Sequence, residues 1–314
     1  MSFLADQVIG EARRRQVRLW VDPAGGLQHA GPAEVLDARF LMLLRTQAKP
    51  IAARLGQEPA GRWFKRLAGD DTGALLYLIP AAGAGPGAYR SWSEAAPAGL
   101  RVEAVLTPGR EERFNEAPFT DVAALADRIA EQILAHADRP FAVFGHSTGA
   151  LVAREVTRRL AASTSRQRAL FVAGALPPHL VGEEEAAGDE ELLSYLAAWQ
   201  GTPAELMADP EFLRAFLPTL RADLKVFHSC RRTEAAGEQV AVDLVALGGL
   251  QDDTAPVGHC EAWRRWAGGR FAVRMVPGGH FFPVGAAAEV TGLVAGELGV
   301  AAGAPEATKP VVRR

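Results

Sequence analysis

Gly145-His146-Ser147-Thr148-Gly149 fits the pattern G-x-S-x-G. The apolar run Phe141–Phe144 leads into it, and the helical run Ala150-Leu151-Val152-Ala153-Arg154-Glu155-Val156 leads out. A strand, a sharp turn and a helix put a serine on a strained backbone with its Oγ above the sheet. A serine hydroxyl is a poor nucleophile until a base takes its proton. His280, in Pro277-Gly278-Gly279-His280-Phe281-Phe282, follows the strand-like run Phe271–Val276. It falls at a strand end, where α/β proteins build their sites. Asp252 follows the run Val242–Leu247, in Gly248-Gly249-Leu250-Gln251-Asp252-Asp253. The chain order Ser147, Asp252, His280 is the order of one hydrolase triad. His280 would be the base, and Asp252 would hold its tautomer. Asp253 is a competing carboxylate one residue on.

Acyl transfer also needs donors for a tetrahedral oxyanion. One expected donor is the backbone N–H of Thr148, directly after the serine. The other is the N–H of Ala82, in the small-residue loop Pro80-Ala81-Ala82-Gly83-Ala84-Gly85. Small residues there let the backbone approach a substrate carbonyl.

These groups need a parallel sheet to bring them together. Ala74–Ile79, Arg101–Leu106, Phe141–Phe144, Leu170–Ala173, Val242–Leu247 and Phe271–Val276 read as largely apolar strands. Helical runs, such as Asp121–Ala135 and the one beginning after Gly149, separate them. That alternation predicts a parallel sheet covered on both faces. Residues 183–229 interrupt it with an acidic stretch and then helical pattern, as a lid inserted over a site would. Leu193, Tyr195, Leu196, Leu213, Phe216 and Leu217 are its expected lining of an apolar tunnel over Ser147.

Residues 1–57 have a different texture. A helix near Ala5–Gln16 precedes the alternating strand Val17–Val21, the turn Asp22–Gly26 and a return strand Leu27–His29. A helix from Glu34 to Leu55 follows, which Pro50 should kink or divide because proline lacks the helical N–H. Gln57–Gly61 reads as a linker, and residues 299–314, rich in Ala, Gly and Pro, as a flexible tail.

Composition limits the function classes. The chain of 314 residues is 48% hydrophobic and 23% charged, the balance of an ordinary globular protein. A net charge of −3 leaves no basic footprint for nucleic acid. Two cysteines, Cys230 and Cys260, cannot form a disulfide framework. MSFLADQVIGEARRR lacks the apolar run of a signal peptide, and no stretch approaches the roughly 20 apolar residues of a membrane span. A cytoplasmic protein without membrane contact is expected.

From about Trp63 to Leu298 the chain resembles the stand-alone type II thioesterases of nonribosomal peptide and polyketide assembly lines. Leu78–Gly83, Pro108-Gly109-Arg110-Glu111-Glu112-Arg113, the serine turn with its helix, Gly201-Thr202-Pro203, Leu220-Arg221-Ala222-Asp223, Gly248-Gly249 with Asp252, and Pro277–Phe282 carry the likeness. The resemblance implies an α/β-hydrolase fold over residues 62–298 with a helical lid. It implies a serine thioesterase acting on acyl or peptidyl groups held as carrier-protein phosphopantetheine thioesters, for editing or product release. No metal or redox cofactor is implied. Three positions depart from the family: Ala81 stands where His is usual, Thr148 where Met is common, and Asp253 where Pro follows the triad acid. Residues 1–57 are similar to the small N-terminal docking domains of the tubulysin-synthetase type. That likeness implies a hairpin edge accepting the C-terminal tail of a synthetase subunit as an added strand. The basic residues Arg13-Arg14-Arg15 and Arg18 would suit an acidic tail. The alternatives are a non-catalytic docking protein on a hydrolase scaffold, and an acyltransferase or cyclase using the same triad.

Overall fold

The computed structural model describes residues 2–15, 17–21, 26–56, 63–182, 188–199, 204–236 and 239–300. The linker expected at 57–61, the turn at 22–25, Gly201–Pro203 and the tail beyond Val300 lie outside them.

The chain opens with helix α1 (Ser2–Arg14), a hairpin of β1 (Arg18–Val21) and β2 (Leu27–Ala30), and helices α2 (Ala38–Thr46) and α3 (Ala48–Gly56). Val8 and Ala12 of α1, at helical spacing, pack with Leu19, Phe40 and Ile51 in a small core of their own. The hairpin is a two-stranded sheet with Arg18 opposite Ala30. The helix expected over 34–55 is two helices that part at Gln47, not at Pro50. Pro50 lies in the first turn of α3, where a missing N–H breaks no helical bond. Asp37 caps α2 by accepting the Phe40 N–H at 2.8 Å. The basic run is partly neutralised from within: Arg14 and Arg15 both pair with Glu11, and Arg15 also with Asp37.

The larger body carries β3 (Phe64–Ala68), β4 (Ala74–Ile79), α4 (Trp92–Ala95), β5 (Leu100–Val105), α5 (Val122–His136), β6 (Phe141–His146), α6 (Thr148–Ala161) and β7 (Gln167–Ala173). The inserted helices α7 (Asp189–Trp199), α8 (Ala204–Met207) and α9 (Pro210–Ser229) come next. Then follow β8 (Asp243–Gly249), α10 (Val257–Ala262), β9 (Phe271–Val276), α11 (Phe282–Gly285) and α12 (Ala287–Glu297). The strand order is β3-β5-β4-β6-β7-β8-β9, with only β3 antiparallel to its neighbour. This is an α/β-hydrolase fold. Tyr77 and Val143 pack on one face with α5 and α6, while Leu78 and Phe144 pack on the other with α4 and α12. Alternate residues of one strand thus feed two cores.

Strand β3 was not expected from the sequence. Phe64-Lys65-Arg66-Leu67-Ala68 has two cations and too little alternation to read as a strand. It holds the sheet edge, where charged residues discourage pairing with another chain. Its neighbours run parallel, so the ends of β4, β6, β8 and β9 bring residues 80–85, Ser147, Asp252 and His280 to one edge of the sheet. Among the described residues, no helix is long and apolar enough to cross a membrane.

Candidate active site

Ser147 sits between β6 and α6 with φ 54° and ψ −123°. Few residues other than glycine adopt such a backbone, and it persists only where its surroundings impose it. The flanking glycines show why. A Cβ on Gly145 would lie 2.2 Å from the Gly149 carbonyl oxygen, and one on Gly149 would lie 2.3 Å from that of Ile79. The turn is therefore packed directly against the end of β4, where the 80–85 loop begins. Helix α6 starts at Thr148, slightly before the expected position.

The structure brings Ser147, His280 and Asp252 into one hydrogen-bonded line. Ser147 Oγ is 3.0 Å from His280 Nε2, and His280 Nδ1 is 3.0 Å from Asp252 Oδ2. A carboxylate on Nδ1 accepts its proton and leaves Nε2 as the acceptor for the serine hydroxyl. Asp252 Oδ1 accepts the Thr254 N–H at 2.9 Å, the Thr254 hydroxyl at 2.6 Å and the Ala255 N–H at 3.1 Å. Burial alone would raise the Asp252 pKa. Hydrogen bonds from His280 and Thr254 outweigh it and hold the carboxylate well below its usual range. Asp252 is buried, whereas Asp253 is exposed. Thr254 is not announced by the triad pattern, although Asp-x-Thr after a strand is the signature of a side chain bonding its own backbone two residues on.

His146, inside the turn, is fully buried and has both ring nitrogens engaged. Nε2 donates to the His280 carbonyl at 2.8 Å, and Nδ1 accepts from the Tyr89 hydroxyl at 2.7 Å. The Tyr89 oxygen in turn accepts the Ala81 N–H at 3.1 Å. Burial, reinforced by the neighbouring His280, pushes the His146 pKa down to about 3. The folded protein keeps this ring neutral, while the unfolded chain protonates it below about 6.5. Stability therefore falls as pH drops from about 6.5 towards 3. His146→Gln is expected to reduce the pH slope of unfolding free energy in that window by about one proton, read from urea titrations at pH 4 to 7. An unchanged slope would mean the ring is already charged in the native state.

Three consecutive N–H groups in the 80–85 loop have different fates. Ala81 donates to Tyr89, and Gly83 donates to Asp223 Oδ2 at 2.7 Å. Between them, the Ala82 N–H makes no hydrogen bond among the described residues. The Thr148 N–H opens α6 and has no intrahelical acceptor. Neither N–H group has a hydrogen-bond partner among the described residues.

Two cavities flank the site. One of about 340 Å³ holds Ser147 and His280 and is roofed by Leu224, Phe227 and His228 of α9. The other, about 790 Å³, lies between the 82–88 loop and the lid, with Phe212, Phe216 and Leu196 on one side and Ala82 and Phe281 on the other. The expected tunnel lining is thus only partly realised. Leu196 and Phe216 border the larger cavity. Leu217 is buried in the lid's own cluster, with Leu193 and Leu213 packed against it. The Tyr195 side chain lies outside the described residues. The roof over Ser147 comes from the C-terminal third of α9, because that end of the long helix crosses the serine turn. Among the described residues, no cluster of three His, Cys, Asp or Glu side chains could hold a metal ion.

A thioesterase domain family matches residues 74–296. Linear gramicidin dehydrogenase LgrE of Brevibacillus parabrevis is 39% identical over 215 residues, covering 66% of this chain and 81% of that protein. AMB antimetabolite synthetase AmbE of Pseudomonas aeruginosa is 34% identical over 302 residues, covering 93% of this chain but 14% of that protein. That match takes in at least part of the first 57 residues. The solved structure of YbtT, a type II thioesterase from the yersiniabactin NRPS/PKS biosynthetic pathway, superposes with a TM-score of 0.70 at 27% identity, covering 76% of this chain and 99% of that one.

Proposed function

Starting from the fact that this chain belongs to the thioesterase domain family, we propose that it is a serine thioesterase acting on acyl or peptidyl groups carried on the phosphopantetheine arm of a carrier protein. The observation that carries this reading is the hydrogen-bonded Ser147–His280–Asp252 line. Ser147 Oγ attacks the thioester carbonyl while His280 takes its proton. The oxyanion rests on the Ala82 and Thr148 N–H groups. The imidazolium, stabilised by Asp252, returns the proton to the departing pantetheine thiolate. Water, activated by the same imidazole, then releases the acyl group from Ser147. The same intermediate would serve editing of a blocked carrier or release of a finished chain.

Residues 1–57 are proposed to be a docking module ahead of the hydrolase at 62–298. The hairpin supports this: β1 and β2 form a two-stranded sheet with no third strand among the described residues, and β2 is largely exposed. Such an edge can accept a partner tail as an added strand. Arg14 and Arg15 pair with Glu11, and Arg15 with Asp37, which leaves less positive charge for an acidic tail than the sequence suggested.

Deleting residues 1–57 is expected to leave hydrolysis of an acyl-N-acetylcysteamine within about 2-fold and to raise KM for the cognate carrier protein by 10-fold or more, because docking raises effective concentration. Parallel kinetics on the two substrates check this. Equal losses on both would make the segment part of the hydrolase rather than a docking module.

A further inference from the structure

Asp223 lies on the lid helix, yet its carboxylate reaches the loop that carries the Ala82 N–H. Oδ2 accepts the Gly83 N–H at 2.7 Å. Arg110 spans the same carboxylate with both Nη atoms, at 3.0 Å to Oδ2 and 2.8 Å to Oδ1, and donates to the Ala84 carbonyl at 2.7 Å. Only 11% of either side chain is exposed. A bidentate guanidinium–carboxylate pair fixes direction as well as distance. A buried ion pair is a poor device for stability alone, because desolvation offsets most of its attraction. The use made of this one points elsewhere: the pair holds two successive residues of the loop.

On the other side of Ala82, Tyr89 holds the Ala81 N–H at 3.1 Å. The residue in the middle is therefore held by bonds to both of its neighbours. One of those bonds comes from α9, and Leu224, the residue after Asp223, roofs the cavity over Ser147. Closing the lid over the serine and setting the loop thus involve the same turn of helix.

We propose that Asp223, oriented by Arg110, is a positioning residue for the oxyanion donor at Ala82, so that the donor is set only when α9 is seated on the body. Asp223 touches neither substrate nor nucleophile. The inference rests on the roles proposed for Ser147 and Ala82.

Asp223→Asn keeps the size but replaces one carboxylate oxygen with an amide nitrogen: at the Oδ1 position it loses the Arg110 Nη2 bond, and at the Oδ2 position it loses both the Gly83 and the Arg110 Nη1 bonds. On an acyl-N-acetylcysteamine, kcat per folded enzyme should fall about 10- to 100-fold, short of the 10²- to 10³-fold cost of removing an oxyanion donor outright. KM should change by less than about 2-fold, and affinity for a trifluoromethyl ketone analogue, which forms a tetrahedral adduct with the serine, should fall in step with kcat/KM. Arg110→Lys, which keeps the charge but loses the fork, should show the same pattern at about 3- to 10-fold. It carries the test if Asp223→Asn does not fold. A lowered melting temperature with unchanged kcat, or analogue affinity out of step with kcat/KM, would overturn the proposal. Ser147→Ala distinguishes this from failure of the underlying reading: turnover surviving in that variant would remove the nucleophile itself, whatever Asp223 does.

Discussion

Ser147→Ala removes thioester hydrolysis, with kcat falling on the order of 10⁶-fold, and leaves the fold in place. The hydroxyl makes one bond, to His280 Nε2, so its loss costs stability only about 1 kcal/mol. The strained backbone at residue 147 is imposed by the packing of Gly145 and Gly149 and persists with alanine. His280→Ala is expected to be nearly as damaging, because the serine and its base act as a unit. Steady-state kinetics on an acyl-N-acetylcysteamine, with circular dichroism for the fold, checks both. Turnover within 10-fold of wild type in the serine variant would exclude the acyl-enzyme route.

Asp252→Asn should lower kcat on the order of 10⁴-fold by inverting the imidazole tautomer. The geometry says why an isosteric amide fails. Asp252 Oδ1 accepts three hydrogen bonds from Thr254 and Ala255, which would hold the amide oxygen of an asparagine in that position. Its NH2 group would then face His280 Nδ1, leaving only the Thr254 hydroxyl at 2.8 Å to accept a proton there, so the tautomer in which Nδ1 accepts is favoured. The proton moves to Nε2, and the base towards Ser147 is lost. Asp253→Asn, at an exposed side chain outside this network, should change kcat less than about 2-fold. If Asp253→Asn were the more damaging change, the carboxylate would be misassigned. A pH–rate profile adds a second reading, since the Asn variant should recover activity only where hydroxide replaces the missing base.

The residues that face one another across this site were legible where a local pattern announced them. Strand, serine turn and helix are contiguous in 141–156, and Asp252 and His280 each follow an apolar run that ends in glycine. Ala82 was reachable because the 80–85 loop follows the first parallel strand. The partners of that loop were not reachable by the same reasoning. Asp223 meets Gly83 across 140 positions, and Tyr89, though eight positions from Ala81, is oriented by His146 another 57 positions on, so no short-range periodicity announces either. Strand β3 escaped notice because an edge strand need not alternate, and its cations are placed for solubility rather than for the core. The roof of the serine cavity was misplaced because apolar residues of a lid helix look alike whether they face a cavity or a neighbouring helix. Only the path of α9 over the sheet separates Phe227 from Leu217.

The most direct test is the intact mass of a carrier protein loaded with acyl-phosphopantetheine and incubated with catalytic amounts of the enzyme. The account predicts loss of the acyl mass to leave the free pantetheine thiol, within turnover time for wild type and not at all for Ser147→Ala. An acyl-carrier that persists with active wild-type enzyme, or one deacylated equally by Ser147→Ala, would contradict it.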